Sequence, residues 1–178
     1  MTRDGSAQHL VAVDPWSAFP GSEELQETTV EIRRWAVDDL PEINALLLEL
    51  AGAVGIPYHG SVDLLRRHFG LADTYRDMYS DYVSVVDGSV VGFVSLVYYS
   101  SALHKKGTAL INELVVGNRF RGQGVGRSLL QYCITEARAK GFDEIEVGAE
   151  PDNVRAIAFY KQNGLSKQYV LLGMEFGE

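Results

Sequence analysis

The chain has 178 residues, 46% of them hydrophobic and 22% charged, which is the composition of one globular domain rather than of a disordered segment. Its formal net charge of −8 disfavours nucleic acid as a partner, because nucleic-acid binding needs clustered cations, and it slightly favours a cationic ligand. A single cysteine excludes an internal disulfide framework and a cysteine-based zinc cluster.

The first 28 residues show no sustained hydrophobic period and contain glycines, prolines and an acidic patch. We interpret residues 1–28 as an irregular arm and residues 29–178 as the folded domain. No apolar run reaches the length of about 18 residues that spans a bilayer, and the first residues lack the apolar core of a secretory signal. We therefore expect a cytoplasmic protein without a membrane partner.

The folded domain is predicted to begin with a strand and two helices. Val30, Ile32 and Arg34 alternate with Glu31 and Arg33, which is typical of a short strand that ends near Trp35. Asp38 is the predicted N-cap of the first helix, and Pro41 falls in its first turn, where a missing N–H costs nothing. A second helical stretch, interrupted near Gly70, is predicted over residues 61–79.

A hairpin and a third strand are predicted next. Two apolar segments, residues 82–86 and 90–100, flank the dipeptide Asp87-Gly88, which is a strong signal for a tight hairpin turn. After a loop, residues 108–116 form another predicted strand.

The remaining predicted elements are a helix over residues 125–140, a strand over 144–149, a helix over 154–163 and a last strand or strand pair over 167–176. Gly141 and Gly164 are predicted to end the two helices. Cys133 falls on the apolar face of the first of these helices and is predicted to be a buried packing thiol. This order of elements predicts a mixed-sheet α/β layer fold.

The most informative segment is the turn between residue 116 and the helix that follows. It reads Arg121-Gly122-Gln123-Gly124-Val125-Gly126-Arg127-Ser128. Glycines let the backbone approach a ligand closely, and free amides at the start of a helix attract an anion. With Arg119 just before it, the turn gathers three arginines in an otherwise acidic protein. The segment therefore predicts a phosphate or pyrophosphate site.

The spacing of the glycines distinguishes three kinds of phosphate-binding turn. A P-loop requires a lysine at a position where this turn has none. A dinucleotide-binding turn requires G-x-G-x-x-G, whereas Gly122, Gly124 and Gly126 are spaced G-x-G-x-G. The third pattern, R-x-x-G-x-G after a strand, matches Arg121, Gly124 and Gly126. For the glycines alone, a plain strand-to-helix turn with solvated arginines is the alternative.

Taken together with its flanking residues, the turn resembles that of the GNAT superfamily of acyl-CoA-dependent N-acetyltransferases. The resemblance covers residues 29–176 and is strongest over residues 109–165. It rests on the strand Leu110-Ile111-Asn112-Glu113-Leu114-Val115-Val116, the turn, and the segment Asn153-Val154-Arg155-Ala156-Ile157-Ala158-Phe159-Tyr160 followed by Asn163-Gly164-Leu165, in the family's order and spacing. It implies an α/β domain whose central, mixed and mostly antiparallel sheet is flanked by helices and has splayed central strands.

The same resemblance implies a binding site for acetyl-CoA as co-substrate. Its residues are Leu114, Val115, Val116, Arg121, Gly122, Gln123, Gly124, Val125, Gly126, Arg127, Ser128, Asn153 and Tyr160. The turn is implied to hold the pyrophosphate, and the strand and Asn153 the pantetheine arm. The backbone near Val115 is implied to polarise the thioester carbonyl. The histidines have no metal-ligand spacing, so we expect no metal.

Acetyl transfer to an amine needs a base and an acid, because an ammonium ion of pKa about 10.4 is almost wholly protonated at pH 7. Glu113 is the candidate base, because a carboxylate is unusual in a mainly apolar strand and indicates a function there. The alternative is a salt-bridged or edge-facing glutamate without a catalytic role. Tyr160 is the candidate acid for the departing thiolate, and an aromatic residue that packs on the sheet is the alternative. Asn112 lies where some GNAT members carry a second acid.

The sequence thus predicts an N-acetyltransferase that moves the acetyl group of acetyl-CoA to a primary amine by direct attack in a ternary complex. The alternatives are a non-catalytic CoA-binding or regulatory module and a nucleotide-binding protein that uses the same turn. The acceptor, a small-molecule or peptide amine, is not encoded in a recognisable motif. A homodimer is common in that family, whereas the residues themselves indicate no oligomeric state.

Overall fold

The computed structural model describes residues 29–174 and 176, so the arm predicted for residues 1–28 lies outside the described residues. One five-stranded sheet has the order β1-β2-β3-β4-β5. Its strands are β1 (Glu31–Arg34), β2 (Tyr79–Val86), β3 (Ser89–Tyr99), β4 (Thr108–Val116) and β5 (Glu144–Val147). Pairs from β1 to β4 are antiparallel, and β4 pairs with β5 in parallel. The predicted mixed, mostly antiparallel sheet is confirmed.

Helices cover both faces of this sheet. They are α1 (Leu40–Val54), α2 (Val62–Thr74), α3 (Val125–Ala139) and α4 (Val154–Gln162). On one face α1 and α2 pack over the sheet, and Phe69 of α2 meets Phe93 of β3 edge-on. On the other face α3 and α4 pack around fully buried residues such as Leu129 and Cys133. Within the described residues, none of the helices is both long enough and apolar enough to cross a bilayer.

Cys133 has the packing role that the sequence predicts. Its side chain is fully buried, and this burial raises the pKa of the thiol to about 12. The thiol is therefore neutral at physiological pH and is a poor nucleophile.

An ion pair ties the first strand to the first helix. The carboxylate of Asp39 lies 2.7 Å and 2.8 Å from the two terminal nitrogens of Arg33 on β1, and it accepts the N–H of Ala36 at 2.6 Å. Asp39, and not Asp38 as predicted, is the residue that precedes α1. The predicted N-cap lies one residue before the observed one, because Asp38 belongs to a short 3-10 turn that leads into the helix.

Two boundaries differ from the predicted ones by three residues or more. Helix α2 runs without interruption through Gly70 and ends at Thr74, because a single glycine weakens a helix without breaking it. Strand β2 starts at Tyr79 rather than at residue 82, because the long strand β3 continues opposite it as far as Val97. The earlier start places Asp81 inside the strand.

The turn between β2 and β3 is confirmed. Asp87 has φ +50° and Gly88 has φ +77°, and both central residues of a type I′ hairpin turn require this left-handed region.

The predicted last strand is not present. Residues 167–174 and 176 form no strand, and their apolar side chains are exposed, that of Leu171 by 93%. An apolar, alternating pattern forms a strand only where a neighbouring strand supplies hydrogen-bond partners. In the described part of the chain, the outer edge of β5 has no such neighbour.

Candidate active site

The centre of β4 contains a β-bulge that reshapes the sheet. Ser95 of β3 lies opposite Glu113, whereas the next residue, Leu96, lies opposite Ile111, so Asn112 is an extra residue. A bulge of this kind bends its strand and re-aims the side chains. The pairing of β4 with β5 reaches only as far as Ile111. The two strands therefore separate at the bulge, as the expected splay requires.

Beyond the bulge, β4 offers backbone groups rather than side chains. The edge of β4 that faces away from β3 has no strand partner there among the described residues. An antiparallel strand directs its N–H and C=O groups alternately to its two sides, so the segment from Leu114 to Val116 has polar backbone groups open to a ligand, apart from the Val116 carbonyl, which accepts a hydrogen bond from Arg121 Nε. The side chains of Val115 and Val116 are buried in opposite cores. These two residues can therefore contact a ligand only through their backbone.

A cleft of about 1820 Å³ opens where the strands separate. Its lining comes from β4, β5, α3 and α4, from residues 163–171, and from α1, α2 and the loop between them. A typical site for one small ligand occupies about 300–1,000 Å³, so this cleft has room for two substrates. Four of the predicted site residues line it: Glu113, Leu114, Asn153 and Tyr160.

Glu113 is a half-buried carboxylate without an ion-pair partner in the described part of the chain. Its Oε1 accepts a hydrogen bond from Nδ2 of Asn112 at 2.6 Å. Tyr58 and His68 line the same cleft. Burial, and to a smaller extent the charge of Glu113, raises the pKa of Tyr58. No ion pair in the described part of the chain therefore holds the Glu113 carboxylate, and its role as the base stays a prediction.

Tyr160 brings a phenol to this cleft from α4. Its ring packs against that of Phe159 at a centroid distance of 5.2 Å, nearly perpendicular to it. Burial raises the pKa of the Tyr160 phenol, so the hydroxyl keeps its proton at neutral pH and is able to donate it.

Asn153 has a structural contact besides its place in the cleft. Its side-chain oxygen accepts the N–H of Ala156 at 3.1 Å and so caps the start of α4. The cap fixes the orientation of the side chain beside the cleft.

The glycine-rich turn does not line the cleft but lies at the end of β4, where α3 begins. Gly122 has φ +78° and Gly124 has φ +86°, which favours glycine although a Cβ would meet nothing within 4 Å at either position. Gly124 precedes α3 without a side-chain cap, and the first turn of the helix contains no acidic residue. The exposed first-turn amides therefore form a local site of positive potential.

The side chains of this turn have different partners. Arg121 Nε donates to the carbonyl of Val116 at 2.8 Å, and its Nη2 lies 3.8 Å from a carboxylate oxygen of Glu49. Gln123 donates to the carbonyl of Arg119 at 2.7 Å. Arg127 is exposed and forms no ion pair with any described residue. Arg121 thus holds the turn against β4, and Arg127 has its charge available for a ligand.

Two polar residues behind Glu113 were missed by the sequence analysis. Asp81 of β2 lies opposite Ser95 of β3, which in turn lies opposite Glu113. The predicted strand began after Asp81, so this aspartate fell between the predicted helix and the predicted strand. An aspartate inside a buried strand is the signal that could have found it.

Histidine and carboxylate side chains do not suggest a metal centre. Within residues 29–174 and 176, no group of three or more potential ligands is arranged to hold a metal ion. His104 instead contacts a carboxylate oxygen of Glu144 through Nε2 at 3.0 Å.

Comparison with known proteins places this geometry in context. Residues 57–165 match the family model described as the acetyltransferase (GNAT) family. The chain is 30% identical to an uncharacterized N-acetyltransferase of Methanocaldococcus jannaschii over 82% of its own length and 64% of that protein, so it spans slightly less than two thirds of this relative. It is also 30% identical to the L-methionine sulfoximine/L-methionine sulfone acetyltransferase of Pseudomonas aeruginosa, over 84% of this chain and 88% of that one.

The fold is similar to a solved acetyltransferase structure. The aminoglycoside N-acetyltransferase AAC(6')-Iy in complex with CoA superposes with a TM-score of 0.67 over 83% of this chain and 95% of that one. The two sequences are 16% identical, so this likeness establishes the shared fold alone.

Proposed function

The chain belongs to the GNAT family of acetyltransferases, and we propose that it transfers the acetyl group of acetyl-CoA to a primary amine by direct attack in a ternary complex. The observation that carries this proposal is the separation of β4 from β5, where Glu113, Leu114 and Tyr160 line one cleft. A thioester in this cleft lies between a candidate base on β4 and a candidate acid on α4.

Coenzyme A is held by backbone and by few side chains. The first-turn amides of α3 and the turn before it, residues 121–128, bind the pyrophosphate, which the uncapped helix start supports. Arg127 adds charge to this site. The backbone of residues 114–116 hydrogen-bonds the pantetheine arm along the open edge of β4, and Asn153 contacts the arm from α4.

Each proton has a donor and an acceptor in the proposed reaction. Glu113 takes a proton from the acceptor ammonium, directly or through a water. The neutral amine then attacks the thioester carbonyl carbon, while a backbone N–H near Val115 stabilises the negative charge that develops on the carbonyl oxygen. The carbon–sulfur bond breaks, and the Tyr160 phenol gives its proton to the departing sulfur. The nitrogen still carries two hydrogens after the attack, and it loses one of them to water as the neutral amide forms. The proton held by Glu113 is released to water, and Tyr160 is reprotonated from solvent.

Thiol release from acetyl-CoA with a panel of amines tests this proposal. The variant Tyr160→Phe removes one hydroxyl, and we expect kcat to fall about 10²–10⁴-fold with the KM for acetyl-CoA unchanged. Tyr169→Phe is the matched control, because Tyr169 borders the same cleft but is 63% exposed and its hydroxyl donates to Glu144. Equal rates for wild type and Tyr160→Phe contradict the role of Tyr160.

Binding measurements separate the proposed enzyme from its alternatives. Arg127→Glu is expected to weaken CoA binding in calorimetry, whereas Arg67→Glu, the same charge reversal at an exposed site on α2, leaves it unchanged. A non-catalytic module binds CoA but releases no thiol with any amine. A nucleotide-binding protein is stabilised against heat by ATP or NAD rather than by CoA.

A further inference from the structure

A row of polar side chains crosses the sheet beneath the cleft. Asp81, Ser95 and Glu113 are register partners on β2, β3 and β4, and register partners point to the same face of a sheet. The pair Val83–Phe93, two residues along, lies in the core under α1 and α2, so the row faces these helices. Glu113 lies at the cleft end of the row and Asp81 at its buried end.

Asp81 is a buried carboxylate without a cationic partner among the described residues. Its side chain is 4% exposed, and Oδ1 has no hydrogen-bond partner. Ser95, its register partner on β3, is the polar residue next to it in the row. Burial raises the pKa of Asp81 to about 6, so the group is still mostly ionised at neutral pH. A buried charge without a partner opposes folding, and such costs are typical of residues kept for function.

We propose that Asp81 is a positioning residue for the acceptor amine: its carboxylate, acting through Ser95 and Glu113, adds a second negative charge behind the base and selects an acceptor with net positive charge. This inference rests on the proposed function, because it assigns the acceptor class of the same cleft. The ammonium group contacts Glu113, and the charge of Asp81 acts across one strand.

The charges along the whole cleft fit a cationic acceptor. The carboxylates that line the cleft outnumber its lysines and arginines. An amine that carries a carboxylate or phosphonate beside its nitrogen would bring a second negative charge towards Glu113 and Asp81. A diamine or polyamine brings only positive charge, so electrostatics favours it.

The charge of Asp81 also makes acceptor binding depend on pH. His68 of α2 and Arg34 of β1 favour its ionised form, and Glu113 of β4 opposes it. Since the pKa of Asp81 is about 6, its negative charge is present above that pH and is lost below it. Acceptor affinity of the wild type is therefore expected to fall as the pH falls through this range, and less so when residue 81 is neutral.

The experiment measures calorimetric binding of two probes to the CoA-saturated protein at about pH 7.5. Spermidine is the polycation and L-methionine sulfone the zwitterion. Asp81→Asn removes the charge and keeps the size. Asp39→Asn is the matched control, because Asp39 is a carboxylate of similar burial that is paired with Arg33 outside the cleft.

We expect wild type to prefer spermidine and Asp81→Asn to bind it about tenfold more weakly, with binding of the zwitterion unchanged. Asp39→Asn changes neither. In steady-state kinetics, we expect Asp81→Asn to raise the KM for the cationic acceptor and to leave kcat within about twofold of the wild-type value. A merely structural defect does not change KM alone in this way.

Three results overturn the inference: equal spermidine binding by wild type and Asp81→Asn, no preference of wild type for spermidine over the zwitterion, or an equal loss in Asp39→Asn. If CoA binding and amine-dependent thiol release persist in those cases, the proposed function stands without it. If CoA does not bind, the proposed function itself fails.

Should Asp81→Asn not fold, Ser95→Ala replaces it as the test variant. We expect Ser95→Ala to bind spermidine about threefold more weakly than wild type, and an unchanged affinity overturns the inference.

Discussion

Asn112 and Glu113 are consecutive residues of β4, yet their side chains meet in a hydrogen bond of 2.6 Å. Consecutive side chains of a regular strand point to opposite faces, so this contact exists only because the bulge lies between the two pairing registers. The bulge thus does two things at one point of the sheet. It separates β4 from β5, and it gives the proposed base a fixed neighbour.

The variant Glu113→Gln tests that base. We expect kcat to fall about 10²–10⁴-fold, because an amide cannot accept the ammonium proton, with the KM for acetyl-CoA unchanged. The loss becomes smaller at higher pH, where more of the amine is already neutral. Thiol release across a pH series measures both effects. Glu150→Gln changes an exposed carboxylate of the same cleft and serves as control, and an equal loss in both variants contradicts the assignment.

A second prediction concerns the backbone of the glycine-rich turn. At Gly124 φ is +86°, so Gly124→Ala is expected to cost about 1–2 kcal/mol of unfolding free energy and to weaken CoA binding. Gly70→Ala makes the same change inside α2, where a Cβ meets nothing within 4 Å, and we expect it to stabilise the protein by about 0.5–1 kcal/mol. Denaturant unfolding measures the change in unfolding free energy of both variants, and calorimetry measures the change in CoA binding. A stabilising effect at Gly124 contradicts the prediction.

A third prediction follows from the pair between Arg33 and Asp39. The Arg33 hydrogen bond, followed by that from the Ala36 N–H, outweighs burial and lowers the pKa of Asp39. Its stabilising effect is therefore present above the unfolded-state pKa near 3.8 and is lost as the pH falls through the lower folded-state pKa. Asp39→Asn is expected to cost about 1–3 kcal/mol at neutral pH and less in acid. Asp63→Asn breaks an exposed helix pair and should cost less than about 0.5 kcal/mol.

The same substitution, aspartate to asparagine, is expected to stabilise the protein at Asp81, whereas it destabilises the protein at Asp39. Because burial raises the pKa of this carboxyl from 3.8 to about 6, the ionised form opposes folding, and wild-type stability falls as the pH rises between these values. Asp81→Asn removes this dependence and should stabilise the protein by about 1–3 kcal/mol near pH 7.5, with no gain near pH 4. Unfolding free energies at the two pH values measure the difference. A destabilised Asp81→Asn variant at pH 7.5 contradicts the expectation.

Local signals predicted most of the elements that position the site. The bounds of β4 are as predicted, because Gly107 and Gly117 delimit an apolar segment between them. The predicted helix over residues 125–140 and α3 differ by one residue at the end, where Gly141 has φ +82°. Capping, turn chemistry and hydrophobic period all act within a few residues, so one sequence suffices to read them.

Features that depend on distant partners were not predictable in the same way. Residues 167–176 alternate like a strand, but whether they form one depends on a neighbouring strand that the pattern does not contain. The row from Asp81 to Glu113 depends on the register of three strands. Glu113 and Tyr160 were proposed as site residues because a resemblance supplied their context, whereas Asp81 had only its place in β2, which was predicted to start too late.

The cleft that opens between β4 and β5 affects how the specificity of this protein can change in evolution. Its walls beyond Ile111 include main-chain amides and carbonyls, which survive almost any exchange of side chains. The opposite wall consists of side chains such as Tyr58 and His68. We therefore expect homologues that evolve from this chain to change their acceptor specificity through mutations in and around α1 and α2. The backbone contacts proposed for acetyl-CoA should be conserved in them.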